Sequence, residues 1–346
     1  MLDKRQPLAL FLEGFMGRPE CKMALGVLRY CRNPVVCAID STTRGRRVAD
    51  YWTLPRDCPI VGSLEEARGA GANVLVLGTA PSGGRIPASY YPHMSRAIEL
   101  GFSIVNGLHN KLAPLYPDLR PGQWIWDIRA EPEGIGVAVG AAAGLRNQRV
   151  LMVGTDMAVG KMTAGLELYR EALGRKIRAE FIATGQIGIV IMGRGVPLDA
   201  VKVDYACGAM EKAVMDASDA ELIVVEGQGA LAHPGSAATL PLLRGTCPTH
   251  LVLCHRGGAS ALMKLPQVRI PPLPDLIRLY EDLAATAGVF PRPRTLGIAL
   301  NTAHMTAEEA AREVEQVAGE TGLPVTDVIR FGAGVLADGL REDARA

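Results

Sequence analysis

The chain has 346 residues, of which 48% are hydrophobic and only 5% aromatic, and its formal net charge is +1. This length predicts two domains whose cores need no disulfides or metal ions to hold them together. The balanced charge gives no reason to expect a nucleic-acid partner or an anionic membrane surface, and no apolar run has the length of a membrane span.

The cysteines and the N-terminus bear on the compartment. The seven cysteines are odd in number and none are arranged as C-x-x-C, so reduced thiols are the simplest interpretation. The chain begins with a short polar segment that leads directly into an apolar stretch, without the cleavage pattern of a signal peptide. We therefore expect a cytoplasmic protein.

Apolar runs alternate with helical patterns in the N-terminal half, which predicts a parallel sheet in an α/β fold. Strands are expected at Leu8–Leu12, Val35–Asp40, Asn73–Gly78 and Phe102–Asn106, and helices at Cys21–Tyr30 and near His93–Leu100. Asp40 lies at a suitable distance beyond Gly14 for a ribose-binding acid, but the full G-x-G-x-x-G pattern is absent. We therefore favour a Rossmann-like domain without a dinucleotide.

Three polar stretches follow predicted strands of this half, at Ser41–Gly45, Gly78–Gly84 and Asn106–His109. In open α/β sheets, ligands bind beyond the carboxyl ends of the strands, so these loops could line a pocket. Arg44 and His109 are the side chains here that could bind substrate. The alternative, which stays open, is ordinary turn chemistry, since Gly, Pro, Ser and Thr favour turns wherever they occur.

The two halves are joined by a segment without a regular period. Prolines interrupt the chain from Leu115 to Glu133, which predicts an irregular connection. Gly134–Leu145 is small and apolar, as is typical of a tightly packed helix. We place the domain boundary near residue 130, with a Rossmann-like domain at 1–130 and a second domain at 131–346.

The most informative stretch begins at Val150. An apolar run predicts a buried strand, a glycine-bounded loop follows from Gly154 to Gly160, and Lys161 precedes a helical stretch at Thr163–Leu173. A strand, a glycine loop, Gly-Lys and a helix are the setting of a phosphate-binding loop. Backbone N–H groups, the helix N-terminus and the lysine would together attract the anion.

Two features depart from the usual pattern of such a loop. Five residues separate the glycines, where about four are usual, and Met162 stands where a Ser or Thr would hold Mg²⁺. The alternative interpretation is a glycine turn in an α/β domain that binds no nucleotide. If phosphate binds, contacts are expected from Gly154, Thr155, Asp156, Val159, Gly160, Lys161, Met162 and Thr163.

The rest of the C-terminal half again alternates strands with helices and predicts a second parallel sheet. Strands are expected at Ile177–Ala183, Glu221–Glu226, His250–Cys254 and Thr295–Asn301, and helices at Ala209–Ala217 and Thr306–Thr321. Thr306 is the predicted N-cap of the last helix, whose first turn contains glutamates.

Two acids of this half could serve a metal ion. Glu226 follows a continuous apolar run, and Asp204 precedes the helix predicted at Ala209. Together with Thr163 they could hold a Mg²⁺ that neutralises phosphate charge. Alternatively, Asp204 is a helix N-cap and Glu226 accepts backbone N–H groups in a turn. The same crevice is expected to contain Gln228, His233 and His255, which could orient a substrate or move protons.

Gly154–Lys161 resembles the phosphate-binding loop of dethiobiotin synthetases, which also has five residues between its glycines. Val225–Gly229 is similar to the second motif of that group, which implies that Glu226 serves Mg²⁺. Leu296–Asn301 is similar to the strand whose terminal Asn touches the adenine base, which implies that role for Asn301. These likenesses cover the C-terminal domain only.

A second resemblance covers nearly the whole chain. Its motifs, in order, are Gly78–Gly84, Asn106–His109, Gly154–Thr163, Thr184–Gln186, Glu226–Gln228, Cys254–His255 and Asn301–Thr302. They resemble the DgcN-type D-glutamate N-acetyltransferase family, in which Gly-Lys-Met-Thr is a regular form of the loop. The resemblance implies a Rossmann-like N-terminal domain, a P-loop C-terminal domain and transfer of acetyl from acetyl-CoA to D-glutamate. Likeness to P-loop enzymes of this branch also suggests a homo-oligomer.

Three functions remain open from the sequence. The first is N-acyl transfer, in which the loop and Lys161 hold the phosphates of acetyl-CoA. The base would be Glu226, His233 or His255, and backbone N–H groups of residues 227–230 would stabilise the oxyanion. Candidate substrate-binding residues, of which the arginines match a carboxylate, are Arg44, His109, Gln186, Gln228 and Arg256.

The second function is ATP-dependent activation of a carboxylate, as the likeness to dethiobiotin synthetases suggests. Lys161 would then stabilise the transferring phosphoryl group, with Thr163, Asp204 and Glu226 on Mg²⁺. The third is a nucleotide-binding regulatory module with slow turnover. The missing hydroxyl at Met162 slightly favours acyl transfer.

Overall fold

The structure, a computed structural model, describes residues 2–81 and 83–343, with side chains up to residue 340. Ser82, in the polar stretch Gly78–Gly84, lies outside the described residues. So do Met1 of the predicted N-terminal domain and residues 344–346 of the predicted C-terminal domain. The chain divides into two compact units. One comprises the chain up to Glu131 together with Gln186–Ala200, and the other comprises Pro132–Gly185 together with the chain from Val201 onward.

Within the described residues, the first unit contains a six-stranded sheet in the order β3-β2-β1-β4-β5-β6, and all of its pairings are parallel. Its strands are β1 (Leu8–Phe11), β2 (Val35–Ile39), β3 (Ile60–Val61), β4 (Val74–Leu77), β5 (Ser103–Asn106) and β6 (Ile125–Asp127). Its first helices are α1 (Lys22–Tyr30), α2 (Leu64–Gly69) and α3 (Tyr91–Glu99). β1 and β4 are buried along their whole length, as their apolar sequences require. The strand order is that of a doubly wound Rossmann-like fold, which confirms the prediction.

The second unit also has a six-stranded parallel sheet within the described residues, in the order β14-β13-β10-β7-β9-β8. Its strands are β7 (Gln148–Gly154), β8 (Ala179–Ile182), β9 (Leu222–Val225), β10 (His250–Arg256), β13 (Arg294–Asn301) and β14 (Val325–Thr326), and a separate antiparallel hairpin consists of β11 (Ala261–Leu262) and β12 (Leu265–Arg269). The helices in this stretch of chain are α4 (Lys161–Gly174), α5 (Gln186–Met192), α6 (Val203–Asp216), α7 (Thr239–Thr246), α8 (Leu273–Ala285), α9 (Ala307–Thr321) and α10 (Gly334–Asp343).

The position of β7 determines where the site is built. β7 lies between β9 and β10, with Leu151 opposite Val225 and Gly154 opposite Cys254. Because the three strands are parallel, the phosphate-binding loop, Glu226 and His255 lie at the same edge of the sheet.

Among the described residues, none of the helices combines the length and the apolar character that a membrane span requires.

One segment between β8 and α6 departs from its neighbours in the chain. α5 and the residues that follow it to Ala200 belong to the first unit, where α5 packs against α1. The chain therefore passes from the second unit to the first between Gly185 and Gln186 and returns at Val201.

The prediction of a helix at Gly134–Leu145 is wrong. The segment forms turns that end in a short 3-10 helix, Ala141–Gly144, and Gly134 and Gly140 adopt positive φ angles of 71° and 77°. Two backbone N–H groups of the segment donate to the buried carboxylate of Glu211, at 2.9 and 2.7 Å. Close approach to α6, rather than helical packing, explains the small residues.

Two boundaries also differ from the predictions. The connection from Leu115 to Glu133 contains the edge strand β6, which is too short to show a period in the sequence. The helix predicted from Ala209 begins at Val203, which puts Asp204 in its first turn. The N-cap position is held by Lys202, so the alternative interpretation of Asp204 as an N-cap is wrong.

A substitution at Gly208 of α6 tests the close approach of this helix to the segment Gly134–Leu145. A Cβ at Gly208 would lie 1.8 Å from the carbonyl oxygen of Gly136. Gly208→Ala is therefore expected to destabilise the protein by on the order of 2–4 kcal/mol, because two pieces of main chain must separate. The matched control is Gly319→Ala in α9, where a Cβ would meet nothing within 4 Å, and which should be neutral or stabilise by about 0.5–1 kcal/mol. Urea unfolding measures both, and equal effects would contradict the explanation.

Candidate active site

The loop between β7 and α4 presents a row of main-chain donors. The N–H groups of residues 158–163 donate to no described residue, since the first turn of a helix has no preceding carbonyls to bond. Ala158 and Gly160 hold positive φ angles of 57° and 102°, a conformation that brings successive N–H groups together around an anion. With the N-terminus of α4 behind them, these donors have the arrangement that anion-binding loops use for phosphate.

Two glycines make room for the lysine of this loop. A Cβ at Gly227 would lie 1.7 Å from the carbonyl oxygen of Met152 and 3.0 Å from Lys161 Cδ. A Cβ at Gly154 would lie 3.0 Å from Lys161 Nζ. Any side chain at these two positions would therefore displace the lysine or the strand beside it.

Lys161 is the first residue of α4 and is only 7% exposed. Its Nζ donates to the main-chain carbonyl oxygen of Asp156 at 2.8 Å. Burial lowers the pKa of Lys161, and the charges of Cys254, Asp156 and Glu226 oppose that shift only in part. The ammonium thus has a neutral carbonyl as its partner, and a phosphate would supply the negative charge that favours its protonated form.

Glu226 directly follows β9 and is 3% exposed. Its Oε2 accepts the N–H groups of Thr184 and Gly185 at 2.9 and 3.0 Å, as the turn interpretation of this residue expected. Burial raises the pKa of Glu226 to about 7, although these hydrogen bonds and Lys161 act in the opposite direction. Its Oε1 accepts no hydrogen bond from a described residue. A carboxyl group with this pKa exchanges a proton near neutral pH, which suits a general base.

The two predicted histidines have different surroundings. His255 is buried in β10 with Nδ1 at 3.0 Å from the hydroxyl of Thr155, and burial lowers the pKa of His255 to about 4. Its ring is therefore neutral at pH 7 and fixes Thr155. His233 lies in the loop after β9, where its Nδ1 accepts the N–H of Gly235 at 3.1 Å. A Cβ at Gly235 would be 3.9 Å from Met157 Cε, so this loop lies beside the phosphate-binding loop.

Two amides lie close to the loop and to Glu226. Gly160 is near Asn301, because a Cβ on the glycine would be 3.9 Å from Asn301 Nδ2. That Nδ2 donates to no described residue, whereas the Oδ1 accepts the N–H of Ala303 at 3.2 Å. A Cβ at Gly185 would be 2.4 Å from Gln228 Nε2 and 3.0 Å from Glu226 Oε1, which puts the Gln228 amide beside the carboxyl group.

A cleft of about 100 Å³ opens beside the loop, lined by residues 155–159 and by Arg256, Ala259, Ala261, Met263 and Ile270. The β11–β12 hairpin is tied to the loop because Met263 N–H donates to Asp156 Oδ2 at 2.9 Å. Arg256 Nη1 donates to Met263 Sδ at 3.1 Å, and its guanidinium pairs with no carboxylate among the described residues. Apolar walls and one unpaired arginine suit a partly apolar ligand with an acidic group.

The predicted metal ligands are placed differently from one another. Thr163 lies in the first turn of α4 and is partly buried, whereas Asp204 is exposed on α6. One carboxylate oxygen of Glu226 already accepts hydrogen bonds from backbone N–H groups. In the described part of the chain, no group of three or more His, Cys, Asp and Glu side chains could hold a metal ion. A Mg²⁺ on Thr163, Asp204 and Glu226 stays a prediction.

The remaining candidate residues belong to the first unit. Arg44 is exposed and forms an ion pair with Glu66, with Nη2 at 3.0 Å from Oε1. Gln186, the first residue of α5, lies beside the loop that contains His109, since a Cβ at Gly107 would be 3.2 Å from Gln186 Cγ.

His109 has an arginine as its neighbour. Arg129 Nη1 lies 2.7 Å from His109 Nε2 and also forms an ion pair with Asp199. Neither Arg129 nor Asp199 is evident from the sequence, because both stand in connections without a recognisable motif.

Comparison with known proteins identifies the family. Residues 136–337 match a family model described as a domain of unknown function, DUF1611_C, P-loop domain. Residues 41–131 match the corresponding DUF1611_N Rossmann-like domain. The chain belongs to the DUF1611 family. A crystal structure of a DUF1611 family protein from Anabaena variabilis is 47% identical, with 98% of this chain and 100% of that chain covered and a TM-score of 0.94.

Two curated relatives of this DUF1611 chain carry the name D-glutamate N-acetyltransferase. The relative from Tritonibacter scottomollicae is 39% identical over 80% of this chain and 84% of its own length. The relative from a Pseudoalteromonas species is 36% identical over 78% of this chain and 82% of its own. The family and both domain types are those that the sequence motifs predicted, and the P-loop domain is the part suited to a nucleotide or an acyl-CoA.

Lys161→Ala is expected to weaken the affinity for the ligand that the site accepts, acetyl-CoA or ATP, by on the order of 10- to 100-fold. One charge-assisted contact to phosphate accounts for this loss. The control is Lys176→Ala, which removes an exposed lysine just beyond the opposite end of α4. Calorimetric titration gives the affinities, and unfolding midpoints check that both variants fold. Unchanged affinity in Lys161→Ala would contradict a phosphate-binding loop.

Proposed function

We propose that this protein is an N-acetyltransferase that moves an acetyl group from acetyl-CoA to the amine of D-glutamate. The names of the two curated relatives support the reaction. The observation that carries the proposal in the structure is the buried Glu226, a carboxyl group with a pKa of about 7 at the same sheet edge as the phosphate-binding loop. An acceptor amine arrives as an ammonium group at neutral pH, so the reaction needs such a base.

The phosphate-binding loop would hold the pyrophosphate of coenzyme A. The N–H groups of residues 158–163 are unbonded within the described part of the chain, and Lys161 adds a buried positive charge beside them. This donor set fits a phosphate ester and needs no bond to be hydrolysed. Asn301 would contact the base of the nucleotide, and its Nδ2 lies near Gly160 without a hydrogen-bond acceptor among the described residues.

The cleft of about 100 Å³ next to the loop would accept part of the apolar arm of acetyl-CoA. Its walls include Met157, Val159 and Met263, which suit an apolar arm, and Arg256 lies among them. When bound, acetyl-CoA would supply a thioester whose carbonyl carbon accepts the amine. The C–N bond forms, the C–S bond breaks, and the CoA sulfur leaves as a thiol after taking up a proton that the amine has lost.

Glu226 would take the proton of the ammonium group on Oε1, since Oε2 is held by Thr184 and Gly185. The N–H groups of residues 227–229 donate to no described residue and would stabilise the charge that develops on the carbonyl oxygen. Ala230 N–H donates to Ser236 Oγ at 3.1 Å, so it is already engaged. His255, with its pKa near 4, would position Thr155 rather than act as the base.

The ATP-dependent alternative is less well supported by the geometry. It needs Thr163, Asp204 and Glu226 on one Mg²⁺, but Asp204 is exposed in the first turn of α6. Glu226 directs Oε2 to backbone donors instead. A homo-oligomer and a cytoplasmic location stay predictions from the sequence.

Glu226→Gln is expected to lower kcat by on the order of 10²- to 10⁴-fold, because an amide cannot accept the ammonium proton. In the wild type, kcat/KM for D-glutamate should rise through about pH 7, since the basic carboxylate form of Glu226 is populated only above its pKa of about 7. This limb should be absent from the residual activity of the variant.

The matched control is Glu221→Gln, which removes an exposed carboxylate just before the other end of β9. N-acetylglutamate is quantified by mass spectrometry, and acetyl-CoA affinity is measured in parallel. The assignment of the base fails if Glu226→Gln retains more than half of the wild-type kcat.

A further inference from the structure

The first unit carries a group of basic side chains at the carboxyl end of its sheet. This basic cluster consists of Arg85, His109 and Arg129. His109 follows β5, Arg129 follows β6, and Arg85 stands in the loop after β4. Hydrogen bonds of the flanking residues fix Arg85 there, because His109 N–H donates to Gly84 O at 2.8 Å and Ile86 N–H donates to Asn110 Oδ1 at 3.0 Å.

Arg129 is held rigidly within the cluster. Its side chain is 10% exposed, and it forms an ion pair with Asp199. Its Nε donates to the carbonyl oxygen of Gly107 at 2.8 Å, and its Nη1 lies 2.7 Å from His109 Nε2. Nη2 donates to no described residue. A guanidinium fixed in this way loses little conformational freedom when it binds an anion.

The basic cluster has more positive than negative charge. Arg85 is exposed and makes no hydrogen bond or ion pair within the described part of the chain. Asp199 is the carboxylate paired with Arg129, whereas the nearby Asp127 is engaged by backbone N–H groups and by Asn106. Burial lowers the pKa of His109, and the charges of Arg129 and Arg85 lower it further, while the charge of Asp199 acts in the opposite direction. One more carboxylate would balance the cluster.

We propose that the basic cluster binds a carboxylate of the acidic amino-acid acceptor, with Arg85 as the specificity-determining residue and Arg129 as the rigid part of the site. This inference rests on the proposed function, because it names the groups that recognise D-glutamate. Loops beyond the carboxyl ends of parallel strands are where doubly wound folds bind ligands. A guanidinium matches a carboxylate with two parallel hydrogen bonds. Gln186 Cγ lies beside Gly107, whose carbonyl oxygen accepts a hydrogen bond from Arg129 Nε.

Arg85→Gln tests the inference without disturbing the fold, since Arg85 is exposed and unpaired. The matched control is Arg32→Gln. Arg32 is also exposed, and its side chain forms no hydrogen bond or ion pair within the described residues. It precedes β2 and therefore lies at the opposite end of the strands of the same parallel sheet. Initial rates over a grid of D-glutamate and acetyl-CoA concentrations give both KM values, and calorimetry gives the binding of D-glutamate to each protein with CoA present.

We expect Arg85→Gln to raise the KM and the Kd for D-glutamate by on the order of tenfold or more, the loss of one charged hydrogen bond. Arg85→Lys should recover part of the affinity, and Arg32→Gln should match the wild type. An unchanged KM and Kd for D-glutamate in Arg85→Gln would overturn the inference. A raised KM for acetyl-CoA alone would also overturn it, because the cluster would then hold a phosphate.

Failure of the proposed function gives a different result. If the wild type binds D-glutamate but transfers no acetyl group to it, acetyl transfer is refuted, and the calorimetric comparison of Arg85→Gln with Arg32→Gln still decides the role of the basic cluster. If the wild type binds no D-glutamate with CoA present, the cluster proposal is refuted.

Discussion

The second unit depends on the hydrogen bond from the buried ammonium of Lys161 to a main-chain carbonyl, since no carboxylate within the described residues is bonded to this ammonium. Lys161 donates to a main-chain carbonyl, and the N–H groups around it carry the same sign of partial charge. Gly154 and Gly227 lack side chains because the lysine needs that space. Burial disfavours the protonated form of the lysine, so an anion at the loop would stabilise the buried ammonium and offset the free energy of its desolvation. Phosphate binding at the loop would therefore be coupled to the stability of the protein.

Glu226 is under the opposite constraint at the same edge of the sheet. Burial raises its pKa while the ammonium of Lys161 opposes the rise. A phosphate bound by Lys161 would reduce that opposing effect, so ligand binding is expected to strengthen the basicity of Glu226. In the proposed reaction Lys161 would bind the cofactor and Glu226 would move a proton, and these two roles follow from the charged form that each environment favours.

Much of the fold, and the meeting of the phosphate-binding loop with Glu226 in the candidate site, could be predicted from the sequence. Buried parallel strands read as apolar runs, and Gly160-Lys161 and Glu226 stand directly after two of them, so their meeting at one sheet edge follows from the topology. Arg129 and Asp199 could not be predicted, since they are 70 residues apart and meet only because Gln186–Ala200 belongs to the first unit. The helix predicted at Gly134–Leu145 is wrong for a similar reason. Its small residues serve a contact with α6 that lies far away in the sequence.

The most direct test of the account is a calorimetric titration of the protein, treated with EDTA, with acetyl-CoA and separately with ATP. The account predicts saturable binding of acetyl-CoA that does not change when Mg²⁺ is added, and weaker binding of ATP under both conditions. Binding of ATP that requires Mg²⁺, together with no binding of acetyl-CoA, would contradict it.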